Sequence, residues 1–193
     1  MAGQINRGTF FGDQVYNLSL NKNFKNYVEV GTWNGEGSTK CFVDALLQRN
    51  DESALYSLEA NIEFYEQARR YWDPLMATSR SLAPKLHLLY GRIIEAEELV
   101  TAEEVQGHPR FPPEIDVILL DGGQFSTRSE FNKLKDRTKI VLLDDTLSFK
   151  TDKVREDILK DPDSWTVIFD NIADRHGWFM ACKTQFVDLL ESQ

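Results

Sequence analysis

A glycine-rich segment near the amino terminus has the residue types and spacing of a ligand-binding turn. Residues 28–39 read VEVGTWNGEGST, an apolar run that leads into glycines at 31, 35 and 37 and then into a helical pattern. Glycine has no Cβ, so its backbone can turn sharply and approach a ligand closely. The helix that follows begins with unpaired N–H groups. Neither the GxGxxG of dinucleotide sites nor the GK[ST] ending of a P-loop is present.

This segment resembles motif I of class I S-adenosylmethionine-dependent methyltransferases, written (D/E)xGxxxGxG, with Glu29 at the acidic position. The resemblance implies that the turn wraps the methionine end of S-adenosylmethionine and that Glu29 helps to orient it. The predicted cofactor contacts in this segment are Glu29, Gly31, Thr32, Trp33, Asn34, Gly35 and Ser38. A glycine-rich turn without a ligand is the alternative interpretation.

Two further strand ends extend the predicted cofactor site. Glu59 follows the run LYSL, and a carboxylate there can accept two hydrogen bonds from a ribose diol. In the methyltransferase family this acid holds the adenosyl ribose. After the third apolar run come Gly91 and Arg92, where family members often carry an acid that contacts adenine. The Arg92 guanidinium would either stack on the adenine ring or face solvent.

Three aspartates follow the next two apolar runs, which read IDVILLDGGQ and IVLLDD. Over residues 27–183 the chain is similar to small-molecule O-methyltransferases of the macrocin O-methyltransferase type, which place metal-binding aspartates at these points. The resemblance implies that Asp121, Asp144 and Asp145 converge, with Asp121 also near the cofactor. Their mutual repulsion would be relieved by a hard cation such as Mg²⁺. The three are therefore predicted as metal ligands and as the catalytic groups that position and deprotonate an acceptor hydroxyl.

One residue departs from the family pattern at this point. Related proteins often have histidine after the DGG sequence, whereas this chain has Gln124. An amide cannot accept a proton near neutral pH, so base chemistry would fall to an aspartate or to a metal-bound hydroxyl. In the alternative interpretation no metal binds, Asp121 contacts the cofactor, and Asp144 or Asp145 caps the turn that follows.

The elements that must position these residues alternate along the chain. Five apolar runs are separated by helical patterns, which is typical of a parallel α/β sheet. Two later runs, 165–169 and 178–182, flank a polar turn and predict a hairpin. The predicted fold is α/β and Rossmann-like, a mostly parallel seven-stranded sheet with helices on both faces and a C-terminal antiparallel β-hairpin. The five predicted parallel strands are 27–30, 54–58, 86–90, 115–120 and 140–143.

Helical spacing predicts helices that begin near residues 38, 62, 94, 126 and 154. Residues 74–84 and 107–113 are predicted to be the most flexible loops. The first 26 residues are less regular and are expected to form a lid or an interface. Four aromatic residues are candidates either for the lining of an acceptor pocket or for the core: Phe10, Phe11, Tyr16 and Trp33.

Composition limits the class of protein. With 193 residues the chain is expected to form one domain, 1–193. Its net charge of −9 argues against nucleic acid and anionic lipid as partners. Cys41 and Cys182 lie in apolar segments and are expected to be free thiols. The sequence has no signal-peptide pattern or membrane span, so a cytoplasmic location is expected, and a homodimer is compatible with the sequence.

The sequence therefore predicts an enzyme that transfers a methyl group from S-adenosylmethionine to a hydroxyl of a small molecule, with Mg²⁺ assistance if the aspartates hold an ion. A second hypothesis is a protein that binds S-adenosylmethionine without efficient transfer, since Gln124 stands where a base is often found. A third is a nucleotide- or NAD-binding oxidoreductase, against which the glycine spacing argues.

Overall fold

The computed structural model describes residues 4–94 and 111–191. Within these residues seven strands form one sheet in the order β3-β2-β1-β4-β5-β7-β6. Strands β1 to β5 are parallel, and β7 is antiparallel to both β5 and β6. The strands are β1 Asn26–Val30, β2 Ala54–Glu59, β3 Leu86–Tyr90, β4 Ile115–Leu120, β5 Thr138–Asp144, β6 Trp165–Asn171 and β7 Trp178–Lys183. This architecture confirms the predicted α/β fold with its C-terminal antiparallel hairpin.

Helices cover both faces of the sheet. On one face α1, α2, α3 and α6 contribute to a core around Tyr27 and Phe42. On the other face α4 and α5 pack through Phe131, Val154 and Ile158. In the described residues the α-helices are α1 Phe10–Leu20, α2 Ser38–Leu46, α3 Ile62–Thr78, α4 Thr127–Leu134, α5 Asp152–Leu159 and α6 Asp188–Glu191.

The central strand β4 is apolar at every position except Asp116. All six of its residues are buried. Val117 and Leu119 join the core under α1 and α2, whereas Ile118 and Leu120 join the core under α4 and α5. Successive side chains of a strand point to opposite faces, so a strand covered on both sides is apolar on both faces. The charged exception in β4, Asp116, forms an ion pair with Lys139.

The register brings four strand ends to one edge of the sheet. Val30 at the end of β1 pairs with Leu58 of β2 on one side and with Leu120 of β4 on the other. Leu120 in turn pairs with Leu143 of β5. The residues that follow these strands therefore meet at the carboxyl edge, where the strand order changes direction between β1 and β4. Open α/β sheets bind ligands at such an edge.

Several local expectations differ from the structure. Helix α3 continues through Pro74 to Thr78, where the sequence predicted a loop from 74. The helix tolerates the proline because Ala68 and Trp72 anchor it to the core and it ends one turn later. The helix predicted to begin near residue 94 lies outside the described residues apart from Ile94, and so do residues 107–110 of the predicted loop 107–113. No helix of the described residues combines the length and apolar character needed to cross a membrane.

The amino-terminal segment packs against the body of the domain. Thr9 caps α1 by accepting a hydrogen bond from the Gly12 N–H. Phe11 is buried and stacks on Trp178, with 4.8 Å between ring centroids. Of the two roles predicted for Phe11, the structure therefore supports the core and not the acceptor pocket. Cys41 and Cys182 are buried free thiols, as expected.

Candidate functional site

A cavity of about 930 Å³ opens at the carboxyl edge of the sheet. The carboxyl ends of β1 to β5 and the turns after them all contribute to its wall, with Gly31, Glu59, Gly91, Asp121 and Asp145 as examples. Its size falls within the range of pockets that hold small molecules and cofactors. The cavity therefore lies at the position that the strand order favours for a ligand.

The glycines of the first turn allow close packing between strands and helices. Gly31 has φ of 100°, and a Cβ there would lie 2.4 Å from the backbone oxygen of Asp121. Gly35 has φ of 78°, and a Cβ there would lie 2.7 Å from Nε1 of Trp72. The Trp72 Nε1–H donates to the Gly35 carbonyl oxygen at 2.9 Å. Both positions require glycine whether or not a ligand is bound.

Glu29 lies behind the cavity wall. Its side chain is fully buried and accepts hydrogen bonds from the hydroxyls of Ser38, Thr39 and Ser57 at 2.5–2.6 Å. Burial raises the pKa of Glu29, although these three hydrogen bonds oppose the change. Glu29 does not line the cavity, because its carboxylate is enclosed by protein, and its predicted contact with a cofactor stays a prediction. Glu29 instead ties the start of α2 to β2 and so fixes the shape of the turn.

The other motif residues divide into two groups. Gly31, Thr32, Trp33 and Ser38 line the cavity. The predicted cofactor contacts of Asn34 and Gly35 are not supported, because these two residues lie in the part of the turn that does not line the cavity. The Asn34 side chain accepts a hydrogen bond from the Glu36 N–H at 3.0 Å, and Gly35 packs against Trp72.

Glu59 lines the cavity at the end of β2. Its Oε2 accepts a hydrogen bond from the Trp33 N–H at 2.7 Å, and its Oε1 accepts one from the Asn61 N–H at 2.8 Å. Burial raises the pKa of Glu59, and these backbone hydrogen bonds act against that change. Each carboxylate oxygen has a second lone pair, so both can still accept a hydrogen bond from a ligand. Gly91 and Arg92 also line the cavity.

The structure brings the three predicted aspartates together. One carboxylate oxygen from each of Asp121, Asp144 and Asp145 lies within 4.8 Å of the others. Burial raises the pKa of Asp121 to about 6, and burial together with the charge of Asp121 raises the pKa of Asp144 to about 6. The adjacency expected from the family strand order is therefore present.

Two cations that the sequence analysis did not select already neutralise this cluster. The Lys150 ammonium forms ion pairs with Asp121 and with Asp145, the latter at 3.1 Å. Arg175 donates from Nη2 to both oxygens of Asp144 at 2.6 and 2.7 Å. Burial lowers the pKa of Lys150, but Asp121 and Asp145 outweigh this and raise it, so the side chain is a cation at neutral pH.

The donor set therefore does not fit a resident divalent ion. Three carboxylates and two cations leave a formal charge of −1, so the repulsion that suggested a metal is already relieved. An ion bound by Asp121 and Asp145 would have to displace the ammonium of Lys150 that contacts both. Mg²⁺ needs near-octahedral oxygen ligands at about 2.0–2.1 Å, and an ammonium between two of them prevents this.

Three residues with unusual backbone conformation border the site. Trp33, Asp145 and Arg175 have φ of 51°, 58° and 50°, and they are the non-glycine residues with positive φ in the described part of the chain. Trp33 and Asp145 line the cavity, and Arg175 contacts Asp144. Such conformations are costly for residues with a side chain and tend to occur at functional sites.

The remaining candidates lie elsewhere. Gln124 is exposed and outside the cavity wall. Phe10 packs against Phe169 and Trp178, and Tyr16 contacts Arg7 and Gln48, so neither is a pocket residue.

The two cations of the cluster lie in irregular segments. Lys150 follows Asp145 by five residues, and Arg175 lies in the β6–β7 turn. Neither position has a periodic spacing that could have linked it to the aspartates.

No family model matches this chain, and no curated protein matches it. Solved structures do match it. A candidate caffeoyl-CoA O-methyltransferase from Staphylococcus aureus is 18% identical, with a TM-score of 0.67 over 94% of this chain and 86% of that chain. An O-methyltransferase from Bacillus cereus, solved in complex with SAH, is 16% identical, with a TM-score of 0.66 over 94% and 84%.

A third structure is the O-methyltransferase TomG from Streptomyces achromogenes, involved in tomaymycin synthesis and solved in complex with SAM. It is 17% identical, with a TM-score of 0.66 over 90% of this chain and 79% of that chain. Identities at this level establish a shared fold. The chain therefore has the fold found in these O-methyltransferases, over nearly its whole length.

Proposed function

We propose that this chain is an S-adenosylmethionine-dependent O-methyltransferase that acts on a small molecule. The observation that carries the proposal is the junction between the first and second strand ends. There the glycine-rich turn and the Glu59 carboxylate meet in one cavity, joined by the hydrogen bond from the Trp33 N–H to Glu59. The acidic cluster lies in the wall of the same cavity.

On the cofactor side, Glu59 would accept hydrogen bonds from the ribose diol with the lone pairs that its backbone partners leave unused. Gly31, Thr32 and Ser38 would surround the methionine end, and Gly91 and Arg92 would lie at the adenine end. Asp121 lies in the same wall, next to the first turn. Bound S-adenosylmethionine would supply a methyl group on a sulfonium, which is a good leaving group.

On the acceptor side, the chain's main contribution would be orientation of the acceptor hydroxyl toward the methyl group. The carboxylate of Asp145 would take the hydroxyl proton, since Asp145 lines the cavity and its Oδ1 has no hydrogen-bond partner among the described residues. Asp121 and Asp144 would hold Lys150 and Arg175 in place. Metal assistance, which the family resemblance implied, is not part of this proposal because those two cations already balance the aspartates.

The acceptor proposed here is a small molecule with an apolar part. The chain carries a net charge of −9, which opposes binding of a phosphate backbone. Three large apolar side chains are exposed on the segments that follow β4 and β5, at the edge where an acceptor would enter. They are Phe125, Leu147 and Phe149, with 76%, 58% and 71% exposure.

Calorimetry with S-adenosylhomocysteine tests the cofactor site. We expect the wild-type chain to bind and Glu59→Ala to bind at least about tenfold more weakly, because each hydrogen bond to a charged group contributes about 1.5–3 kcal/mol. The matched control is Glu52→Ala, which removes an exposed carboxylate from the opposite end of β2. Equal affinity of Glu59→Ala and the wild type would contradict the ribose site.

Binding and activity assays on the same protein distinguish the three candidate functions. Binding of NAD rather than S-adenosylhomocysteine would favour an oxidoreductase. Binding of S-adenosylmethionine without formation of S-adenosylhomocysteine, across a panel of phenols and aliphatic alcohols, would favour a binding protein. Formation of S-adenosylhomocysteine that depends on one of these acceptors is the outcome expected for the proposed enzyme.

A further inference from the structure

We infer that Lys150 is the resident cation of the acceptor side of this cavity and that its ammonium holds the oxygen that receives the methyl group. This inference rests on the proposed function and assigns the position that a divalent ion would otherwise take to a side chain of the protein. It also removes the requirement for an acceptor that binds through two adjacent oxygens.

The position of Lys150 carries the first step. Lys150 lies between β5 and α5, and its side chain is only 19% exposed. Its ammonium contacts Asp121 at the end of β4 and Asp145 at the end of β5. The side chain therefore spans two neighbouring strand ends at the carboxyl edge of the sheet, and it forms part of the cavity wall.

The hydrogen-bonding capacity of Lys150 carries the second step. An ammonium has three N–H donors. Two of them are directed to Asp121 and Asp145, and the described residues provide no third acceptor. Because the side chain lines the cavity, an oxygen of a bound molecule can accept the remaining hydrogen bond. A positive charge at this position stabilises negative charge that develops on that oxygen.

The charge balance carries the third step. Arg175 neutralises Asp144 through both carboxylate oxygens, so Asp144 contributes little negative charge to an added ion. Lys150 neutralises much of the charge on the other two aspartates. A divalent ion would have to displace a lysine that is held by two carboxylates. With both cations present, the cluster that would attract this ion has a formal charge of only −1.

The number of free donors determines the class of acceptor. A divalent ion has several open coordination positions and can bind two adjacent oxygens of a diol. The Lys150 ammonium has one donor left and binds one oxygen. We therefore expect a molecule with a single hydroxyl to be an acceptor, with no requirement for a vicinal diol.

Titration with Mn²⁺, followed by electron paramagnetic resonance and calorimetry at pH 8, tests this inference on the full chain. We expect the wild type to show no saturable site below about 1 mM. Lys150→Ala should gain one Mn²⁺ site that is at least about tenfold tighter, because it removes the ammonium from the carboxylates. Lys150→Arg should behave like the wild type. The matched control, Lys153→Ala, removes an exposed lysine of α5 and should gain no site.

Two results would overturn the inference. One is a wild-type chain that binds a single Mn²⁺ with a Kd below about 1 mM. The other is a folded Lys150→Ala chain that gains no site, with Lys150→Met as the second variant if the alanine variant does not fold. Neither result concerns the cofactor, since binding of S-adenosylhomocysteine by the wild type is measured separately. A wild-type chain that does not bind S-adenosylhomocysteine would contradict the proposed function.

Discussion

At the scale of single residues, the acidic cluster is shaped by its cation partners. The side chain of Asp144 is 4% exposed, and Arg175 is the partner that forms an ion pair with it. A buried carboxylate that loses its cation keeps the cost of burial without the compensating attraction. The strength of this pair can therefore be measured as a change in the stability of the whole domain.

We predict that Arg175→Ala lowers the free energy of unfolding by about 2–4 kcal/mol, measured by urea denaturation at pH 7.5. The matched control is Arg128→Ala, which breaks an Arg–Asp pair of two hydrogen bonds with Asp157 on the surface. Exposed pairs contribute about 0–1 kcal/mol, so the control should change little. Equal losses of unfolding free energy in the two variants would show that the buried pair with Asp144 stabilises the domain no more than the exposed pair does.

A second residue-scale prediction concerns Gly31. A Cβ at this position would lie 2.4 Å from the Asp121 backbone oxygen, so Gly31→Ala must separate β1 from β4 or distort the turn. We expect a loss of more than about 3 kcal/mol in the free energy of unfolding, since steric overlap adds to the cost of a positive φ.

The control for Gly31 is Gly8→Ala. Gly8 also has a positive φ, of 92°, but a Cβ there would meet nothing within 4 Å. Only the conformational cost of about 1 kcal/mol is expected for it. Thermal unfolding of both variants measures the difference, and a Gly31→Ala chain as stable as Gly8→Ala would contradict the close approach of the two strands.

At the scale of elements, a buried arginine joins α1, α2 and the first strand. Arg49 follows α2 and donates from Nη1 to the carbonyl oxygens of Ser19 and Asn21 and to the hydroxyl of Tyr27 at 2.8–2.9 Å. Asp51 balances its charge from the other side at 2.5 Å and also contacts Lys85 before β3. These contacts hold the amino-terminal edge of the sheet.

This arrangement predicts a specific dependence of stability on pH. Burial alone would raise the pKa of Asp51, but hydrogen bonds from Arg49 and Ser53 outweigh it and hold the pKa well below its usual range. A carboxylate with a lowered pKa in the folded state contributes stability above its unfolded pKa of about 3.9. That contribution decreases as the pH falls below this value toward the folded pKa.

We therefore expect Asp51→Asn to be less stable than the wild type at pH 7 and to lose less stability between pH 5 and pH 3. Urea denaturation at several pH values measures both quantities. The control is Asp163→Asn, a substitution at an exposed position before β6. Parallel pH curves for Asp51→Asn and the wild type would contradict the assignment.

The elements also show what could be predicted from sequence. Strands β3 and β4 match their predicted bounds, because runs buried on one or both faces of a sheet have a clear apolar pattern. The three aspartates were found because strand ends at a common edge must meet. Pro74 misled the prediction of α3, since the helix is held by the tertiary contacts of Trp72. Lys150 and Arg175 were missed because irregular segments position them.

At the scale of the whole molecule, ligand binding should appear as a change in global stability. A ligand present at 100 times its Kd adds about 2.7 kcal/mol to the free energy of unfolding. For a domain of this size we expect S-adenosylhomocysteine to raise the Tm by about 5–10 °C. Differential scanning fluorimetry measures this shift. NAD at the same concentration should leave the Tm unchanged. Because Glu59→Ala is expected to bind at least about tenfold more weakly, S-adenosylhomocysteine should raise the Tm of that variant by no more than about half of the wild-type shift.

The insertion of β7 between β5 and β6 has a consequence for synthesis on the ribosome. Residues 178–183 fill an interior position of the sheet, although they are translated after the other six strands. A nascent chain that ends before them exposes the β5 edge, and Asp144 has no arginine beside it until the turn at Arg175 folds into place. The domain should therefore reach its protease-resistant state only after this late segment has left the exit tunnel.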